Sequence, residues 1–306
     1  MHISLNPTYL CNFRCPWCYL TPNQLSDKQK IDLKKLDILL SDVYDKFGIT
    51  NIDLYGGEIG LLSESYLIEM INCIDQYYQG PINIITNFSK IHPIFLNERI
   101  NVGVSYDYDI REKHEIVFQN ILMFPKQVDI LMLASKSLLE STSNKINELI
   151  ELFSNIHNIK SVEIKPYSTN QANQDSVTFL EFERYIIKWL KSPINKQFRF
   201  VNQYNIELCL SKQKNAFSDD HIYITPNGKY AVLEFDINDN EYFKEFNDLD
   251  YYLKWVLIEK DRIINNGYCG KCEFLGNCLS EHLRKVKTII NSCNGFKGLL
   301  LNYKEK

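Results

Sequence analysis

The 306-residue chain is 45% hydrophobic and 13% aromatic, enough to fill the core of one large α/β domain with a smaller companion. Its net charge of −4, with Lys and Arg scattered among Asp and Glu, gives no basic stripe along which a nucleic-acid backbone could lie, so a polynucleotide partner is not expected. The opening MHISLNPTY lacks a cationic head and an apolar h-region, and no apolar run reaches bilayer length, which places the chain in the cytoplasm with no membrane partner.

Up to about residue 165 the pattern alternates short β-like runs with amphipathic helical periods, the order of a parallel sheet with crossover helices. Six strands are predicted: 2–6, 51–55, 82–86, 101–105, 128–133 and 161–165. Between the first two, Leu33, Leu36, Leu39, Leu40, Val43 and Phe47 recur at helical steps, and Gly48 follows as a stop. Similar periods predict helices over 63–78, 114–123 and 138–153. Six such βα units give an incomplete barrel of the TIM type, because eight would close it. In folds of this kind the chemistry sits on the loops that leave the C-terminal ends of the strands.

Beyond Lys165 a helix over 177–190 precedes the stretch 198–210, and 222–225 with 229–233 read as a hairpin turning through Pro226-Asn227-Gly228. The rest is loop-rich, with a short helix over 248–258 and a basic one over 282–290. The domain boundary is expected near residue 200, giving domains of 1–200 and 201–306.

Nine cysteines stand at 11, 15, 18, 73, 209, 269, 272, 278 and 293. An odd number in two tight clusters, without a secretion signal, points to metal ligation over disulfides. Cys73 shares an apolar helical stripe with Met70 and Ile74 and reads as a core thiol. The first cluster has three thiols, one short of a tetrahedral zinc site unless a distant ligand joins them. Three cysteines on a cubane iron–sulfur cluster leave one iron open to a ligand.

Cys11-x3-Cys15-x2-Cys18, with an aromatic before the last thiol, resembles the signature of the radical S-adenosylmethionine (SAM) superfamily, and Gly56-Gly57-Glu58 after the second strand resembles its glycine motif. The resemblance implies that Cys11, Cys15 and Cys18 hold a [4Fe–4S] cluster whose open iron chelates SAM, and that reductive cleavage of SAM releases a 5′-deoxyadenosyl radical that takes a substrate hydrogen. It implies SAM contacts for Gly56, Gly57 and Glu58 at the ammonium, Trp17 beside the adenine, and Asn87 and Ser105 at ribose or carboxylate. Ile59-Gly60 stands where that family usually has proline.

Cys269-x2-Cys272-x5-Cys278 with Cys293 resembles the C-terminal extension called SPASM, or its smaller twitch form. The resemblance implies one auxiliary [4Fe–4S] cluster on these four cysteines. A second is not expected, because Leu233 and His282 occupy two of its thiol positions. Cys209 then lacks cluster partners, and His282 stays open as a replacement ligand. Structural zinc suits the four cysteines as well.

Alternation puts Asp53 and Tyr55 on one face of strand two and Glu163 and Lys165 on one face of strand six. Such charges either face outward to water or line a polar chamber, and Ser105 on the inward register favours the chamber. Lys165, Asp107 and Cys209 are the catalytic candidates, Cys209 as a hydrogen donor, with Arg111 and Tyr167 as substrate contacts. The expected activity is radical modification of a precursor peptide, by crosslinking or oxidation, with a flavodoxin- or ferredoxin-type electron donor. Peptide-modifying relatives often carry an N-terminal leader-binding domain, for which this chain leaves no room. Two alternatives stay open: a radical dehydrogenase or epimerase acting on a small metabolite or peptide residue, and a zinc-stabilised binding protein.

Overall fold

The computed structural model describes residues 1–108, 111–166, 177–233, 243–284, 293 and 295–305. Six strands, β1 (His2–Leu5), β2 (Asn51–Leu54), β3 (Ile82–Thr86), β4 (Ile100–Ser105), β5 (Val128–Leu133) and β6 (Ile159–Lys165), lie side by side in chain order, each parallel to the next. This is the unclosed βα barrel expected from the alternation. The apolar member of each alternating pair faces the helices: Ile3, Leu5, Ile52, Leu54, Ile84, Val104, Ile130 and Val162 are all fully buried.

The crossover helices are α1 (Leu33–Phe47), α2 (Glu64–Ile74), α3 (His114–Met123), the short α4 (Lys136–Leu139) and α5 (Ser143–Ser154); α6 (Phe179–Lys191) follows β6. Helix α1 presents Leu36, Leu39, Leu40 and Val43 to the sheet, begins where Asp32 accepts from the Lys35 amide, and ends at Gly48 with φ 66°. Cys73 is 8% exposed on the packed face of α2, a core thiol as expected. The helix predicted over 138–153 is broken in two, because Thr142 accepts from the Lys145 amide and starts α5 afresh. Helix α6 opens with a capping box in which Thr178 and Glu181 satisfy each other's amides.

The chain continues through β7 (Arg199–Phe200) into α7 (Val201–Leu210), a helix that periodicity alone did not predict. The hairpin is present as β8 (His221–Ile224) and β9 (Tyr230–Leu233), with Gly228 at φ 66° in the turn. It builds no sheet of its own. Strand β8 runs parallel to β1 in the register His2↔His221, and β10 (Phe243–Phe246) extends β9, so the described strands form one ten-stranded sheet in the order β10-β9-β8-β1-β2-β3-β4-β5-β6-β7. Helix α8 (Leu249–Ile264) runs six residues past the predicted end at 258, and α9 (Lys297–Lys304) closes the described chain. Of the basic helix expected over 282–290, His282–Arg284 form a 3-10 turn and the remainder lies outside the described residues. No helix among the described residues is long and apolar enough to cross a membrane.

Strand β1 is thus an interior strand, bonded on both edges. Leu5→Ala removes a fully buried side chain from its C-terminal end and should cost about 2–5 kcal/mol, measurable as a lower urea midpoint with an unchanged slope.

Candidate active site

The loop leaving β1 carries Cys11, Cys15 and Cys18, all partly buried, and the turn leaving β2 lies against it. The Gly57 amide donates to the Thr8 carbonyl at 3.0 Å and the Glu58 amide to the Leu10 carbonyl at 2.8 Å. A Cβ on Gly57 would fall 2.2 Å from the Leu10 oxygen and 2.3 Å from the Tyr9 oxygen. The glycine is therefore demanded by the cysteine loop itself, whereas the sequence reading ascribed it to a ligand.

Glu58 is 2% exposed, and its carboxylate is occupied within the protein. It accepts from the Gly60 amide (2.7 Å), the Thr86 hydroxyl (2.6 Å) and the Asn87 amide (2.6 Å). Burial raises its pKa despite those three donors. Glu58 so binds the β2 turn to the end of β3. Asn87 reaches back to the cysteine loop, donating to Asn12 Oδ1 at 2.8 Å and lying 3.8 Å from Cys11 Sγ.

Asp107 and Arg111 form a second support. Asp107 is fully buried, accepts from Arg111 Nε at 2.7 Å and from the Leu133 amide at 2.5 Å, and Arg111 then points a guanidinium nitrogen at Cys15 Sγ, 3.6 Å away. These placements change two expectations: with its oxygens taken up, Asp107 positions the arginine, and Arg111 addresses a cysteine. Burial pushes all three thiols up, Cys18 to about 11. They become thiolates only with positive charge beside them, from Arg111 or a metal. Ser105 ends β4 on the concave register, partly exposed, and Trp17 is half-buried in the cysteine loop.

The concave face of the sheet is polar, as the chamber reading required. His2 Nε2 meets Asp53 at 2.7 Å; Asn51 and Asn83 also bond Asp53, Asn101 bonds Asn83, and Ser4 bonds His221. This ladder crosses β8, β1, β2, β3 and β4 without a break in side-chain type. On the far side Lys165 pairs with Glu163 at 2.7 Å and stays half-exposed. Tyr55, Tyr19 and Tyr223, with Phe243, make an aromatic wall next to Cys18. Tyr167 lies outside the described residues.

The second cysteine group also converges. Cys269, Cys272, Cys278 and Cys293 line one small cavity together with His282. Burial raises Cys278 to about 12 and lowers His282 to about 4, so the imidazole is neutral. Cys209 is 1% exposed on α7 and close enough to add to the charge felt by Cys278. Direct hydrogen donation from Cys209 to a substrate conflicts with that burial, and we reassign it to the surroundings of this cavity. Among the described residues no three His, Cys, Asp or Glu side chains converge as ligands of a single metal ion.

No protein-family model and no curated protein matches the sequence. Solved structures do. The protein anSMEcpe with bound AdoMet (S-adenosylmethionine) superposes with a TM-score of 0.68 at 15% identity, over 99% of this chain and 95% of its own. SuiB of Streptococcus suis, bound to precursor peptide SuiA, gives 0.63 at 16% identity over 90% of this chain and 70% of its own. The complex of anSMEcpe with AdoMet and Cp18Cys peptide also gives 0.63, at 12% identity, over 100% and 95%. This chain has their fold.

The sequence reading placed Asp53 on a polar chamber face but missed the rest of the ladder although its signal was present: His2 and Ser4, and Asn51 and Asp53, stand two apart in otherwise apolar strands. The roles of Glu58 and Arg111 leave no such signal, since their partners are up to 96 residues distant.

Two outcomes follow. Gly57→Ala should displace the cysteine loop and give a protein that folds, by circular dichroism, yet retains far less iron than wild type after anaerobic reconstitution. For Asp53, burial acts to raise the carboxyl pKa, but bonds from His2, Asn83 and Asn51 outweigh it and hold the group below 3.8. That stabilisation is complete above the unfolded pKa and disappears as pH falls through the lower folded one. His2→Ala should therefore lower stability at pH 5, and the difference from wild type should shrink as denaturant titrations are taken below about pH 4.

Proposed function

We propose that the protein is a radical SAM enzyme that modifies a peptide, with one [4Fe–4S] cluster for SAM and one auxiliary [4Fe–4S] cluster. The observation that carries this reading is the union of Cys11, Cys15 and Cys18 with the Gly56-Gly57-Glu58 turn at the C-terminal rim of a half-open βα barrel. A peptide substrate is supported by the complexes of SuiB with SuiA and of anSMEcpe with Cp18Cys peptide.

The donor sets fit their groups. Three partly exposed thiols on one loop can face a cluster while leaving a fourth corner to solvent, and four cysteines around a closed cavity can ligate a cluster completely. When bound, the first cluster supplies the electron that cleaves SAM to the 5′-deoxyadenosyl radical. The protein's part is placement: Arg111, held by Asp107, offsets negative charge at Cys15, and Asn87 braces Cys11. The backbone of Gly56 and Gly57 serves the SAM ammonium, with Glu58 fixing the turn, and Trp17 and Ser105 serve the adenine and ribose sides. The polar concave face receives the peptide segment, where Lys165 with Glu163 supplies the charged wall. An auxiliary cluster held by Cys269, Cys272, Cys278 and Cys293 would supply an acceptor for one electron, so that a product radical giving up that electron and a proton would end as an oxidised or crosslinked peptide.

We further propose a cytoplasmic setting, whose reducing conditions suit nine free thiols. A flavodoxin or ferredoxin is the electron source, and the division near residue 200 separates barrel from auxiliary region.

Anaerobic reconstitution should load about eight irons per chain, and the reduced protein should convert SAM to 5′-deoxyadenosine. Replacing Cys11, Cys15 and Cys18 by alanine should remove about half the iron and all of that activity. Two zinc ions without iron would instead identify a zinc-stabilised binding protein. Peptide and metabolite substrates are separated by which of them loses hydrogen, read as a mass change.

A further inference from the structure

His282 is the least explained group in the molecule. It is 3% exposed, its backbone amide is fixed to the Ala216 carbonyl at 2.8 Å, and its ring lies against Phe217 with centroids 5.4 Å apart. Nε2 is 3.6 Å from Cys278 Sγ, while Nδ1 has no hydrogen-bond partner among the described residues. Cys278 is equally confined, because a Cβ on Gly295 would stand only 2.8 Å from its sulfur. Sulfur and imidazole are thus held together by backbone on both sides.

An imidazole always carries at least one N–H, and where it has only one the partner decides which nitrogen holds it. A free Cys278 thiol could donate to the ring. A ligating Cys278 has lost its proton and can only accept, which puts the hydrogen on Nε2. Four cysteines already complete a four-iron cluster, so a fifth donor in the same cavity is surplus to ligation. A hydrogen bond to a ligand sulfur draws electron density from the cluster and favours its reduced state.

We propose that His282 donates its Nε2 hydrogen to the Cys278 sulfur and raises the reduction potential of the auxiliary cluster without ligating iron. This replaces the ligand role that the sequence left open for His282. It also gives that cluster a purpose, since a higher potential makes it a better acceptor for an electron leaving the substrate. The inference rests on the auxiliary-cluster reading above.

The test uses the full chain with Cys11, Cys15 and Cys18 changed to alanine, so that only the auxiliary cluster is observed. If this protein takes up no iron with sulfide, the auxiliary-cluster reading itself is lost. If it holds about four irons, His282→Met and His282→Gln are compared by redox titration followed by electron paramagnetic resonance. We expect both to keep their iron, the methionine variant to titrate at a more negative potential, and the glutamine variant, which retains an N–H, to lie nearer the parent. Equal potentials in all three, or iron lost from both variants, would overturn the proposal. Pulsed resonance on the parent labelled with 15N-histidine needs no substitution at 282: a weak nitrogen coupling is expected, and either a strong coupling from bound nitrogen or none at all would count against it.

Discussion

The rim of this barrel is organised by backbone meeting backbone. The Gly57 and Glu58 amides donate to the Thr8 and Leu10 carbonyls where no side chain fits between them. Because both segments are the immediate exits of adjacent strands, the position of the cysteine loop is inherited from the β1–β2 register and is not left to the loop's own preferences. Glu58 and Asn87 carry the constraint to β3, and Asp107 with Arg111 brings in the exit of β4. Four consecutive strand ends therefore act on three sulfurs. Backing of this kind ties the loop to the strand ends, which matters for thiols that must be presented together.

Charge is distributed with similar economy. Asp107 and Arg111 are an almost fully buried pair, which contributes little to stability by itself because both ions lose their hydration. Its worth lies in direction: the carboxylate fixes the guanidinium, and the guanidinium has one remaining face, toward Cys15. The ladder from His221 to Asn101 works differently. There every group but Ser4 is partly exposed, and every bond but Asn51–Asp53 joins neighbouring strands, so the polar lining costs little and keeps the concave surface open to hydrated ligands.

What could be read from the sequence was whatever is local. Strand and helix order, the positive-φ stop at Gly48, the hairpin at Gly228 and the two cysteine groupings all depend on residues close to each other in sequence. The failures were non-local. Nothing in 221–224 says that this strand will pair with residues 2–5, over two hundred positions earlier, and extend the barrel's sheet. Helix α7 was hidden because its residues have almost no amphipathic contrast, being packed by α9 on one side and β6 on the other. Glu58 and Asp107 were assigned to ligands because a sequence shows a carboxylate but not the amides that already satisfy it. Cys209 was read as a lone reactive thiol for the same reason: its neighbour Cys278 is 69 positions away.

The pairing of β8 with β1 has a consequence for how this chain can be divided. Lys35 and Gln29 clasp the hairpin turn at Asn227, and α8 anchors β8 through Tyr252 at the His221 carbonyl. A fragment stopping near residue 200 would bare the outer edge of β1, leaving without partners the His2 and Asn6 amides that donate to Asp220 and Ile224, immediately before the cysteine loop. Such an edge recruits strands from other molecules. The N-terminal strands are thus shielded by the segment that follows residue 200, and the two have to be made and inherited as one piece.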